Sequence, residues 1–356
     1  MSRERLFDLD RAKGLGIFLV VLGHIVAREN PVGVEWYPIL KDRIYLFHMP
    51  FFMFVSGAIA GYAWKNINTW SEYGVFVKKR AERLLPAYFL FALLVFVGKL
   101  AAQSVTPHVD NPVKSVWSFF DVVLMPYQSF SGYLWFVFVL FLLYAALPGL
   151  LFLSRQKAML LLLGAGVIQF LPATPYFGIY SFREYLFVFF LGFFLMKPQQ
   201  NGQKAYDIFV GHLDKWWGVW FALFLFGLIF TYQTPWADTH WFGFWGMNVL
   251  SQFSGFNPDK VVFGLLSIPA LLGFVRSPFC RNSNLLLILG GYTFSIYLMN
   301  TMAIGFVKAV LFKIAPWDGY NFFWYAPLLL LAGVVIPIVA KKYVITRIAY
   351  LDKITN

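Results

Sequence analysis

The chain of 356 residues is 60% hydrophobic and only 13% charged, with a mean hydropathy of +0.65, far more apolar than a soluble domain of this length needs for its core. A formal charge of +12 would suit nucleic acid, but the basic residues lie between apolar runs, a pattern of membrane topology that speaks against a nucleic-acid partner. The single cysteine, Cys280, excludes an internal disulfide and offers no cysteine-based metal site.

Apolar runs of about 20 residues recur along the chain, and each would cross the ~30 Å hydrocarbon layer as a helix. They predict an all-α polytopic membrane protein with about ten spans, at residues 14–28, 44–63, 84–105, 133–153, 158–174, 182–197, 216–233, 260–275, 285–311 and 324–345. With the N-terminus inside, most of the 29 Lys and Arg fall on one side, while Asp and Glu divide almost evenly. Both termini are therefore expected in the cytoplasm. A charged N-terminus and the lack of a small-residue cleavage site predict no cleaved signal peptide. One integral-membrane domain is expected over 1–356, with no fused soluble domain, and no internal or inverted repeat is evident.

The first apolar segment carries the strongest chemical signal. Asp8, Asp10, Arg11 and Lys13 stand before it, and His24 sits near its far end. On one helix Lys13 and His24, eleven residues apart, share a face about 16 Å apart along the axis. An ionisable group at that depth in the apolar layer is costly and marks a functional site facing protein or water. In the second span, FHMPFFMFVSG at 47–57, His48 is expected about one turn below the outer surface, at a depth similar to His24. His48 either shares a cavity with His24 or hydrogen-bonds a neighbouring helix. A neutral imidazole suits a general base near pH 7. Nothing nearby supplies the carboxylates of a metal site, so no metal is expected.

Arg80 and Arg83 open the third span in the run RAERLLPAY, on one helical face. Their guanidinium forks suit phosphate, whereas Lys78 and Lys79 fit simple topological anchoring. GYLWF at 132–136 opens the fourth span: Tyr133 and Trp135 could stack on a sugar ring or form an interfacial aromatic belt. Arg183 and Glu184, at the outer end of the sixth span, either pair with each other or line an outer cavity. The outer connection 234–259 carries Trp236, Trp241 and Trp245 around Asp238 and His240, and could hold a surface helix or an extra span. In the ninth span, GGYTFSIYLMN at 290–300 sets small residues, which allow close helix approach, before a buried polar group, Asn300.

In order and spacing these segments resemble acyltransferase family 3, the integral-membrane O-acyltransferases of bacterial surface glycans, and within it the fucose 4-O-acetylase-like branch. The resemblance runs from about residue 5 to about residue 345. It is carried by DRAKG at 10–14 with LGH at 22–24, by FHMPFFMFVSG, by RAER with Pro86, and by LWF at 134–136. The family usually has an arginine where this chain has Lys13, and often a histidine where it has Asn300. The resemblance implies a cytoplasmic acetyl-CoA donor and a sugar hydroxyl as acceptor. Lys13, Arg80 and Arg83 would hold the donor's phosphates, His24 would act as base or acyl relay, and His48 would assist. Asp10, Tyr133, Trp135, Arg183, Glu184 and Asn300 would give weaker support. The expected setting is the bacterial inner membrane, with the bilayer, acetyl-CoA and a glycan as partners. The competing expectation is a transporter or flippase of lipid-linked sugars in which the histidines relay protons without covalent chemistry.

Overall fold

A computed structural model describes residues 3–26, 30–104, 109, 111–155, 157–197, 202–233, 255 and 257–355. Trp236, Asp238, His240, Trp241 and Trp245 of the outer connection lie outside the described residues. Six helices come first: α1 (Arg3–His24), α2 (Trp36–Tyr62), α3 (Trp70–Gln103), α4 (Trp135–Leu153), α5 (Ala158–Ile168) and α6 (Ile179–Met196). Six follow: α7 (Gly202–Gln233), α8 (Pro258–Arg276), α9 (Asn284–Gly291), α10 (Thr293–Ile314), α11 (Gly319–Tyr343) and the short α12 (Ala349–Ile354). The described residues form no β-sheet; one isolated bridge joins Val32 and Asp318.

Among the described residues, eight helices are long and apolar enough to cross a bilayer, an all-α polytopic membrane architecture. The other two of the ten expected spans fall on α1 and α5. The 11 residues of α5 rise only about 16 Å, half the hydrocarbon thickness. The opening half of α1 is charged, yet the helix packs against α2, α8, α9, α10 and α11, and Ala12, Ile17, Val20, Val21 and Ile25 are buried among them. A helix enclosed by other helices does not need the composition that lipid demands. α2 is enclosed too, with 83% of its apolar stretch buried against 17% for α7, so α1 and α2 form the heart of the bundle and α7 its rim.

Two expected boundaries move. The ninth span is not one helix: it breaks at Tyr292, and α9 folds against α1. α2 begins at Trp36 rather than near 44, which puts His48 about 18 Å along the helix instead of one turn from its start.

Glycine sets the two tightest crossings. A Cβ on Gly57 or Gly61 of α2 would fall 1.9 or 2.1 Å from the carbonyl oxygens of Phe189 and Phe193 of α6. The four-residue spacing places both on one face, the small-residue geometry that lets membrane helices touch backbone to backbone. Gly14 and Gly290 do the same for α1 and α9, against Leu286 O and Asp10 O. At the same end of the bundle Asp8 pairs with Arg11 (3.5 Å) and with Arg276, whose guanidinium also holds Asp214 through two contacts of 2.8 Å. This chain of charges ties α1, α7 and α8 together. Burial nevertheless pushes the Asp8 carboxyl up, against the lowering by the two arginines. Lys341 is buried: it donates to Asp352 Oδ1 (2.7 Å) and Thr355 Oγ1 (2.9 Å) and clamps α12 to the bundle.

Candidate active site

α1 ends inside the protein, at His24. Asn300 of α10 meets it there: both hydrogens of the Asn300 amide go to its own helix, to Ile296 O (2.9 Å) and Tyr297 O (2.8 Å). That fixes Oδ1 as an acceptor, and it lies 2.8 Å from His24 Nδ1. Nδ1 must therefore carry the hydrogen, which leaves the Nε2 lone pair available as a proton acceptor. Asn300 is wholly buried, so this hydrogen bond cannot be traded for one to water. Tyr133 stands edge-on to the imidazole, with ring centroids 6.5 Å apart, and its hydroxyl donates to Leu298 O at 3.0 Å. Tyr297 in turn donates to Tyr133 O, so α10 and the start of α4 wall one side of His24. Tyr133 is thus an interior residue beside the histidine.

The other side is α2. Tyr37 donates to Leu22 O (2.5 Å), Tyr45 to Gly23 O (3.0 Å), and Lys41 reaches Val26 O at 3.5 Å. Leu22 and Gly23 lie in the last turn of α1 and Val26 just past it, and the three side chains supply donors to their carbonyls. Composition drew attention to the histidines and passed over these residues. The readable signal was their spacing: 37, 41, 45 and 48 form one polar stripe on a helical face. His48, at the foot of the stripe, is buried; its Nδ1 donates to Ile44 O at 2.7 Å, which again leaves Nε2 as the acceptor nitrogen. Tyr45 lies against it, ring centroids 5.0 Å apart. The two histidines are thus linked through Tyr45.

Toward the charged end of α1, Lys13 pairs with Asp10 at 2.7 Å on the helix that carries His24. Arg80 of α3 is half-buried over the ring of Tyr144 (4.4 Å) and beside Phe76 (5.3 Å), cation–π contacts that hold the guanidinium plane in place. Arg83 is exposed one turn further on. Arg80 is thus seated on an aromatic residue of α4.

Arg183 and Glu184 have separate partners. Glu184 bridges to Lys260 of α8 at 2.8 Å, and Arg183 donates to Leu171 O while covering the Tyr180 ring. Lys260 also covers Tyr185, which stacks on Trp135 at 5.4 Å. Trp135 is 8% exposed, so it packs helices together and presents no open face for a sugar. Lys260, which sequence reading passed over, joins α8 to α6 beside Pro50, two residues from His48, where a small pocket is lined by Pro50, Glu184, Tyr185 and Lys260.

A half-buried imidazole whose Nδ1 is held by Asn300 thus lies between inner helices of a polytopic integral-membrane bundle. Residues 6–342 match the acyltransferase domain family, type 3, and the chain belongs to that family. It is similar to the nodulation protein NolL of Mesorhizobium japonicum, with 28% identity over 206 residues, 56% of this chain and 51% of that protein. It is also similar to NolL of Sinorhizobium fredii, with 31% identity over 196 residues, 54% of this chain and 49% of the relative. The chain thus matches about half the length of these curated relatives. No solved structure matches it.

Proposed function

We propose that the protein is an O-acetyltransferase of the bacterial inner membrane. In this reaction an acetyl group passes from cytoplasmic acetyl-CoA to a hydroxyl of a glycan at the opposite face. Family membership supports acyl transfer. The observation that carries the chemistry is His24, whose Nδ1–H is spent on Asn300 and whose Nε2 is left to accept a proton.

In the proposed reaction Nε2 takes the proton of the acceptor hydroxyl as its oxygen attacks the thioester carbonyl. The oxygen–carbonyl bond forms, the carbon–sulfur bond breaks, and the proton returns from His24 to the departing thiolate. Asn300 holds the ring so that the imidazolium formed midway keeps its orientation. His48 Nε2 orients the acceptor hydroxyl. Arg80, Arg83 and Lys13 bind the phosphates of the donor; the fit rests on their charge, on guanidinium forks suited to phosphate, and on the aromatic seat of Arg80.

The test is His24→Ala in purified protein with acetyl-CoA and a glycan, read by mass spectrometry. General-base catalysis is worth roughly 10²- to 10⁴-fold, and a loss of that size is expected. Activity within about threefold of the parent, under ~1 kcal/mol in the barrier, would remove His24 from the mechanism. Sealed oriented vesicles test the sidedness. Acetyl-CoA on the cytoplasmic side should acetylate a glycan confined to the other side, and donor supplied only with the glycan should give no product. A protein that moves lipid-linked sugar and never consumes acetyl-CoA would be a transporter instead.

A further inference from the structure

Glycine inside a helix costs backbone entropy and needs a reason. Gly23 immediately precedes His24, at the end of the apolar stretch Ile17–Leu22 of α1. A Cβ there would lie 2.7 Å from Tyr45 Cε1 and within 3.7 Å of two more carbons of the same ring. The missing side chain therefore makes room for Tyr45. The tyrosine uses that room twice: its hydroxyl donates to the Gly23 carbonyl at 3.0 Å, and the ring lies against the His48 imidazole at 5.0 Å and 33°. One side chain thus touches the backbone beside one histidine and the ring of the other.

We propose that Tyr45 is a positioning residue that, together with the gap left by Gly23, sets His24 and His48 at one height so that both face the same acceptor hydroxyl. The proposal rests on the acyltransfer reading above. Tyr37 anchors the neighbouring Leu22 carbonyl from within the core, while Tyr45 reaches both the backbone beside His24 and the His48 ring. Without the Tyr45 hydroxyl the last turn of α1 loses a donor and His24 can shift. Without the ring, His48 loses the surface that holds its plane. Neither change touches the phosphate-binding arginines, so donor affinity stays intact.

The experiment compares Tyr45→Phe, Tyr45→Leu, Gly23→Ala and the Gly23→Ala/Tyr45→Leu double variant, each checked for folded yield and thermal unfolding in detergent. Tyr45→Phe should lower kcat about tenfold, with KM for acetyl-CoA and for the acceptor within twofold of the parent. Tyr45→Leu should lose more. Gly23→Ala should lose as much as Tyr45→Leu, because its methyl displaces the ring. The double variant should be no worse than Tyr45→Leu, since with the ring gone the methyl has nothing to displace. A purely structural role would shift unfolding without that split between kcat and KM. If Tyr45→Phe and Tyr45→Leu both stay within twofold of the parent while His24→Ala is inactive, Tyr45 has no positioning role. If His24→Ala is itself fully active, the acyltransfer reading fails first and takes the proposal with it. Should Gly23→Ala fail to fold, the near-isosteric Tyr45→Phe decides alone.

Discussion

Asn300 shows how one buried amide can decide the chemistry of a neighbour. Its two N–H groups are spent on backbone carbonyls, so its oxygen dictates which nitrogen of His24 is protonated. Asn300→Leu should lower turnover about 10- to 100-fold, the usual effect of losing a group that orients a functional histidine. Nitrogen NMR of labelled His24 would check the cause, because the variant should no longer hold the Nδ1–H tautomer. Turnover unchanged with the tautomer lost would separate the hydrogen bond from catalysis. At the other end of the proposed site, Arg80 is held over the rings of Tyr144 and Phe76. A charged hydrogen bond to phosphate contributes roughly 1.5–3 kcal/mol, or about 10- to 150-fold in affinity. Calorimetry with CoA should show Arg80→Lys losing much of that although it keeps the charge, because lysine cannot reproduce a stacked planar fork. Full affinity in Arg80→Lys and Arg83→Ala would return both residues to topological anchoring.

At the scale of elements, stability is concentrated where backbones touch. Gly57 and Gly61 allow α2 to lie directly on α6, and α2 carries His48 and the tyrosine stripe. Gly57→Val should force the helices apart and cost about 1–3 kcal/mol, typical of overpacking, seen as a lower unfolding temperature in detergent. A wild-type melting curve for that variant would mean that the crossing is looser than the geometry requires. The end of the chain offers a second case. Lys341 is buried and satisfied by Asp352 and Thr355, so Lys341→Ala removes the clamp on α12 and strands the half-buried Asp352 carboxylate. Losing charge-assisted hydrogen bonds of this kind should cost about 1–3 kcal/mol. Limited proteolysis should then cut residues 345–355 well before the rest of the bundle.

For the molecule as a whole, Cys280 gives a direct test of orientation. It is the only cysteine in the sequence, in the short connection between α8 and α9, beside the end of the bundle that carries Asp8 and Arg276. If the basic segments face the cytoplasm, a membrane-impermeant maleimide should label it from that side alone. Burial pushes its thiol up, which lowers the thiolate fraction, so labelling should be slow near neutrality and accelerate as the pH rises. Labelling from the opposite face only would invert the bundle and place the arginine pair away from the acetyl-CoA pool.

The sequence by itself determined the class of the protein, because lipid imposes a length and a composition that can be read directly from apolar runs such as 133–153. It also marked His24, since an ionisable group on an apolar stripe is conspicuous without any knowledge of its neighbours. Small residues at 290–291 pointed to a close helix crossing, and Gly290 makes one. What sequence could not supply were relations between distant residues. Asn300 lies 276 positions from His24, and only packing makes it the group that fixes a tautomer. The span at 285–311 reads as continuous because hydropathy does not register the break at Tyr292, where backbone angles rather than polarity change. Arg183 and Glu184 are neighbours in sequence, yet adjacent helical positions point apart, and Lys260 reached Glu184 from another helix. Periodicity says which face of a helix is polar. Which other helix comes to meet that face is decided by the fit of all the helices at once.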